Sequence, residues 1–135
     1  MIVVDTNVIA HLLIPGKWTE YAKKLLLRDP DWVTAPLWRS EMRNVLFKYY
    51  KHSLISIDRM KEIMSYAEGL FCDSEIPVTS EEVIEFADLG NISAYDAEFV
   101  ALAKKTKSLL ITTDKQLIVS FPKMVKGLEE YGREE

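Results

Sequence analysis

Two short apolar runs constrain this chain more than anything else in it. "MIVV" at the N-terminus and "SLLIT" at Ser108–Thr112 are continuous rather than alternating, and each gives way to polar turn residues. Runs of this length and pattern are expected of strands buried on both faces, which occur in parallel sheets covered by helices. "DWVTAP" is a third strand candidate and "PKMVK" a weaker fourth. Helical patterns lie between them. Thr19–Leu27 is amphipathic and Leu37–Lys51 strongly so, while Ile57–Phe71 follows Ser56 as an N-cap. "TSEEVIEFADLG" carries a capping box from Thr79 to Glu82 and stops at Gly90, and "SAYDAEFVALAKK" starts at Ser93. Strands alternating with helices predict an α/β sandwich.

In such sheets, sites form beyond the carboxyl ends of the strands. Asp5 directly follows the first apolar run, and Asp114 follows "LLITT". Either could simply cap a helix, since carboxylates favour helix N-termini. Two further acids sit where a surface helix gains nothing from them. With about 100° per residue, Val100 and Ala103 flank Asp96 within about 40°. Asp96 therefore lies on the apolar face, while Glu98 points nearly opposite, toward water. A capping pair of Ser93 with Asp96 is the alternative. Glu41 lies at the edge of the stripe formed by Trp38, Met42, Val45, Leu46 and Tyr49, about 60° from Trp38 by the same reckoning; a solvated edge glutamate is the alternative there.

Asp5, Glu41, Asp96 and Asp114 can converge on one pocket if the strands are neighbours. Four carboxylates without cations would repel one another and take up protons. Divalent metal is the natural balance. Oxygen-only ligands select Mg²⁺ or Mn²⁺, one or two ions, over zinc. Such a site suits metal-activated attack of water on a phosphodiester.

Composition bounds the partners. The 135 residues fit one domain spanning residues 1–135, with a net charge of −4 that argues against a non-specific nucleic-acid binder unless the acids are gathered round cations. No apolar run approaches the ~20 residues of a membrane span, and there is no signal-peptide pattern. The single Cys72 reads as a small core filler, and the isolated His11 and His52 offer no zinc pattern. The expected setting is cytoplasmic, with no membrane.

In order along the chain, "VVDTNVI", "SEMRNVL", "SAYDAEFVALA" and "LLITTDKQL" resemble the four motifs of the PIN-domain nucleases, and within them the small VapC-type toxin ribonucleases. The resemblance implies a three-layer α/β/α sandwich with a central parallel sheet. It also implies Mg²⁺- or Mn²⁺-dependent cleavage of RNA, a homodimer, and inhibition by a cognate antitoxin protein. Position by position, Asp5, Glu41, Asp96 and Asp114 match the catalytic, metal-binding acids. Asn7 and Thr112 match supporting polar positions, with the Thr112 hydroxyl expected to fix the Asp114 carboxylate and Thr6 expected only to start a helix. Lys17, Lys104, Lys105 and Lys115 are candidate phosphate contacts. Two other readings compete. An aspartyl-nucleophile phosphatase or phosphotransferase would want a second acid two residues after Asp5, where Asn7 stands. A non-catalytic module with the same fold would work through its surface, with Trp18, Trp32 and Trp38 as interface seeds.

Overall fold

The computed structural model describes residues 1–133. Its centre is a four-stranded, all-parallel sheet in the order β2-β1-β3-β4, where β1 is Ile2–Val4, β2 Trp32–Val33, β3 Leu110–Thr112 and β4 Val125–Gly127. Val3 pairs with Leu110 and Val4 with Ile111, so the first apolar run lies directly beside the run 107 positions further on. Every residue of β1 and β3 is buried. That explains the unbroken apolar pattern, because helices cover both faces of the sheet in a three-layer α/β/α arrangement. β2 is shorter than "DWVTAP" suggests. It continues only as an isolated bridge from Thr34 to Glu75. The fourth strand begins at Val125 rather than at the "PK" of "PKMVK", since proline has no N–H to give to a ladder.

Among the described residues there are eight helices: α1 (Thr6–Leu13), α2 (Thr19–Arg28), α3 (Trp38–Lys51), α4 (Ile57–Phe71), α5 (Ser80–Gly90), α6 (Ala94–Thr106), α7 (Lys115–Ser120) and α8 (Leu128–Arg133). The caps follow sequence chemistry. Ser56 accepts from the Arg59 N–H, and Thr79 with Glu82 forms the full capping box. α5 does end at Gly90, although the left-handed turn falls on Asn91 at φ 50°. Gly90 serves a different need: a Cβ there would run into the Phe121 ring. α8 carries too short an apolar pattern to stand out in the sequence; it packs on α2, where Gly132 closes against Tyr21.

The core unites Ile2, Val4, Ile9, Trp38, Leu46, Phe99, Leu102 and Ile111. Trp32 and Trp38 belong to it, whereas Trp18 is only half-buried. Cys72 is exposed, because Phe71 takes the inward position at the end of α4. At its first turn α3 is tied to the sheet edge by one carboxylate. Glu75 accepts from Trp38 Nε1 at 2.6 Å and from Arg39 Nε at 2.7 Å, and Arg39 also reaches Glu68. Those donors hold the Glu75 carboxyl below its usual range, Arg39 foremost. Glu75→Gln is expected to lower stability in urea unfolding at pH 7 by about 2 kcal/mol, the scale of charge-assisted hydrogen bonds to a largely buried acid. An unchanged midpoint would show that the network contributes nothing.

Candidate active site

The strand order reverses between β1 and β3: from β1 the chain moves outward one way to β2, then returns to the other side for β3. A crevice forms at such a switch point, beyond the carboxyl ends of the strands. Asp5 lies there, one residue past β1, and Asp114 two past β3.

Asp5 is 5% exposed and has two structural partners. Its Oδ1 caps α1 by accepting the Val8 N–H at 3.1 Å, and its Oδ2 accepts from the Thr112 hydroxyl. Burial nevertheless pushes its carboxyl up to about 7, against those two bonds and with help from nearby Asp96 and Glu41. Capping and site membership are thus compatible at Asp5. Asp114 likewise caps α7, its Oδ1 accepting from Gln116 N–H at 2.9 Å. Asp96 is the third residue of α6, its N–H donated to the Ser93 hydroxyl at 3.1 Å. Its side chain is half-buried and its carboxyl is raised, first by burial and then by Asp114. Glu41 on α3 is raised by burial as well, with Asp96 and Glu98 adding to it.

One cavity of about 210 Å³ is lined by Asp5, Asn7, Glu41 and Asp96, with Asn44 and Lys48 from α3. Three of the four acids therefore face one space. Asp114 does not line it and reaches it through its field on Asp96. Asn7 is exposed at its rim.

Several expectations change here. Thr112 fixes the Asp5 carboxylate rather than that of Asp114, whose contact with it is the backbone N–H donated to Thr112 Oγ1 at 3.0 Å. The parallel register explains this, since β3 runs beside β1 and places Thr112 next to the residue after Val4. Thr6 does more than start α1. Buried, it donates to Glu41 Oε1 at 2.7 Å and so positions that acid. Nothing in the sequence pairs residues 6 and 41; only the packing of α1 on α3 does. Glu98 is half-buried instead of solvated, because α6 buries Ala97, Phe99, Val100, Ala101, Leu102 and Ala103, far more than a stripe. Lys104 lies in a separate groove with Glu82 and Phe86, and Lys105 donates to the Pro77 carbonyl at 2.8 Å. The cation at the acidic cavity is Lys48, which the i, i+3, i+7 spacing from Glu41 through Asn44 would have indicated.

Thr112→Val keeps the shape and removes a donor and an acceptor. The Asp5 pKa is expected to rise above about 7 because the lost bond lowered it, and stability to fall by about 1–3 kcal/mol as the Asp114 N–H loses its partner. Carboxyl ¹³C titration and thermal unfolding read the two effects; an unchanged Asp5 titration would refute the coupling.

The PIN domain family model matches residues 2–121, nearly the whole described chain and all four acids. The chain belongs to the PIN-domain family. This PIN domain is also 30% identical over 128 residues to Ribonuclease VapC3 of Pyrobaculum aerophilum, covering 92% of this chain and 97% of that protein, which places it with the VapC type. Among solved structures it resembles PAE2754 from Pyrobaculum aerophilum, with a TM-score of 0.76, 18% identity and coverage of 96% and 85% of the two chains. It also resembles a chain of a toxin-antitoxin complex from Klebsiella pneumoniae, with a TM-score of 0.64, 19% identity and coverage of 95% and 98%. At these identities the likeness to solved structures speaks for the fold.

The donor set of this PIN domain suits a hard divalent cation. It is all oxygen, and Asp5 is a buried carboxylate with no cation bonded to it. Among the described residues no three His, Cys, Asp or Glu side chains stand close enough to enclose an ion by themselves. Mg²⁺ keeps several waters and takes one or two carboxylates directly, so that spacing is compatible with it.

Proposed function

We propose that this chain, as a single PIN-like domain over residues 1–135, is an Mg²⁺- or Mn²⁺-dependent endoribonuclease that hydrolyses RNA phosphodiester bonds. We further infer that it is the toxin of a type II toxin–antitoxin pair. The observation that carries the reading is the buried Asp5 facing Glu41 and Asp96 across one cavity at the β1/β3 switch point. The likeness over nearly full length to a protein named a ribonuclease, and the fold shared with a toxin-antitoxin complex, support it. A protein antitoxin, a homodimer and a cytoplasmic setting follow from the same reading; no helix among the described residues is long and apolar enough to cross a membrane.

Asp5, Glu41, Asp96 and Asp114 would hold one or two ions, directly or through water. Bound there, such an ion lowers the pKa of the attacking water and offsets charge on the phosphodiester. Thr112 and Thr6 act beforehand. By donating to Asp5 and Glu41, each hydroxyl keeps its carboxylate in one orientation, so less ordering remains for the reaction. Asn7 stands at the rim, within reach of a substrate oxygen or a water. Lys48 at the mouth gives the negative substrate a cation to approach despite the net charge of −4. An aspartyl-nucleophile reading loses ground because Asn7 occupies the position of the second acid.

The test is cleavage of single-stranded and structured RNA by the purified chain with Mn²⁺, with Mg²⁺ and with EDTA. Cutting restored by either ion and abolished by EDTA is expected. Cutting that persists in EDTA would refute metal dependence. Absence both of cutting and of calorimetric Mn²⁺ binding would favour the non-catalytic module.

A further inference from the structure

Thr112, whose hydroxyl holds Asp5, lies on the wall of a second cavity. This cavity, of about 400 Å³, is lined by Trp18, Thr113, Lys115, Ile118 and Leu128 among others. The half-buried Trp18 stands among aromatic rings: His11 at 6.1 Å and Tyr21 at 5.9 Å between centroids. Lys17 Nζ lies 4.8 Å from the centre of the Trp18 ring, and a His11 ring nitrogen is 3.3 Å from Thr113 Oγ1. Apart from Thr112, no residue of this cavity has a part in the proposed chemistry.

We propose that it is a subsite for one unpaired nucleobase of the substrate, stacked on Trp18. The inference rests on the ribonuclease reading for its choice of ligand. An apolar slot with one large ring and a few polar groups suits a base, whose faces stack and whose edge needs donors and acceptors. Ile118, Leu128 and Trp18 form the apolar walls, while Thr113 and Glu130 offer polar atoms to an edge. Lys115 lines the slot and Lys17 lies over the Trp18 ring, two cations for the phosphates beside a stacked base, while Glu129 is engaged by Arg133. A base paired inside a duplex cannot reach a ring set into a cavity, so the subsite selects single-stranded RNA or an unpaired loop. Trp18 is here a binding residue, remote from the bond that breaks.

The experiment follows tryptophan emission in EDTA while the chain is titrated with short single-stranded homopolymers of each base and with a duplex of equal length. Trp32 and Trp38 are buried, at 4% and 0% exposure, so a base stacking from outside is reported by Trp18. Single strands are expected to quench and the duplex not to. Trp18→Leu is expected to lose the quench and bind about tenfold more weakly, the scale of one stacked base. Trp18→Tyr should restore binding, and the thermal shift on adding Mn²⁺ should be the same in all three proteins. No quench in the wild-type chain, equal quenching by the duplex, or unchanged RNA affinity in a folded Trp18→Leu would each overturn the subsite. So would a Trp18→Leu defect confined to binding a protein partner. RNA that binds and quenches yet is never cut would refute the ribonuclease reading and leave the subsite standing. RNA cut equally well by the wild type and Trp18→Leu would do the reverse.

Discussion

Asp96→Asn is expected to reduce metal-dependent RNA cleavage by a thousandfold or more while leaving the fold intact. The loss corresponds to about 4 kcal/mol of transition-state stabilisation, the scale of a disabled metal centre. The fold is spared for a local reason. Asp96 contributes its backbone N–H to the Ser93 cap, a bond that Asn keeps, and the Asn side-chain oxygen can still accept from the Ser93 hydroxyl. The carboxyl is held above its usual range by burial and by Asp114, so at neutral pH its charge is a cost to the folded state. A neutral isostere removes that cost, and the melting temperature should stay level or rise in metal-free buffer. Cleavage retained by Asp96→Asn would sink the assignment of the acidic cavity. Lost cleavage with a lower melting temperature would mean that the residue serves the core instead.

The second large effect is on stability against pH. The Asp5 carboxyl sits at about 7 in the folded chain against an ordinary 3.8. A raised acid pKa means that the folded state binds the extra proton between those values. Its contribution to stability is therefore greatest below about pH 4, falls as pH rises through the window, and is lowest above about pH 7. The gap corresponds to about 4 kcal/mol at most. Glu41 and Asp96 are shifted in the same direction and add to the slope, whereas Glu75, lowered by Arg39, opposes it at the acid end. Urea unfolding from pH 4.5 to 8 in EDTA should show this decline. Asp5→Asn should flatten it. Millimolar Mn²⁺ should restore stability at pH 8 and do little at pH 5, where protons already neutralise the acid. A slope identical in wild type and Asp5→Asn would show that another group carries the titration.

Much of this was legible from the sequence, for identifiable reasons. β1 and β3 declare themselves because both faces are covered, so no polar residue interrupts the run before Asp5 or before Thr112. Ser56, Thr79 and Ser93 mark their helices because capping is local, settled within three residues. Asp96 stood out because one helix supplies its own reference frame. What stayed hidden depends on contacts between distant segments. The bond from Thr6 to Glu41 spans 35 positions and that from Thr112 to Asp5 spans 107, and no local pattern encodes either. The half-burial of Glu98 is invisible in the sequence because a single stripe is a poor guide to a helix covered over most of its surface, as α6 is. Lys48 does not stand out because charge alone does not show which cation faces the acids.

The first turn of α3 deserves to be seen as a yoke. Residues 38 and 39 are fastened to Glu75, which the Thr34 bridge ties to the edge of the sheet, and residue 41 is fastened to Thr6 at the start of α1. Within less than one helical turn, the same segment anchors the outer strand and carries an acid into the cavity. A helix pinned on both sides cannot roll or slide without breaking one of the pins. Losing Glu75 would remove one of the two pins on the helix that carries Glu41, with every atom of the cavity lining left in place.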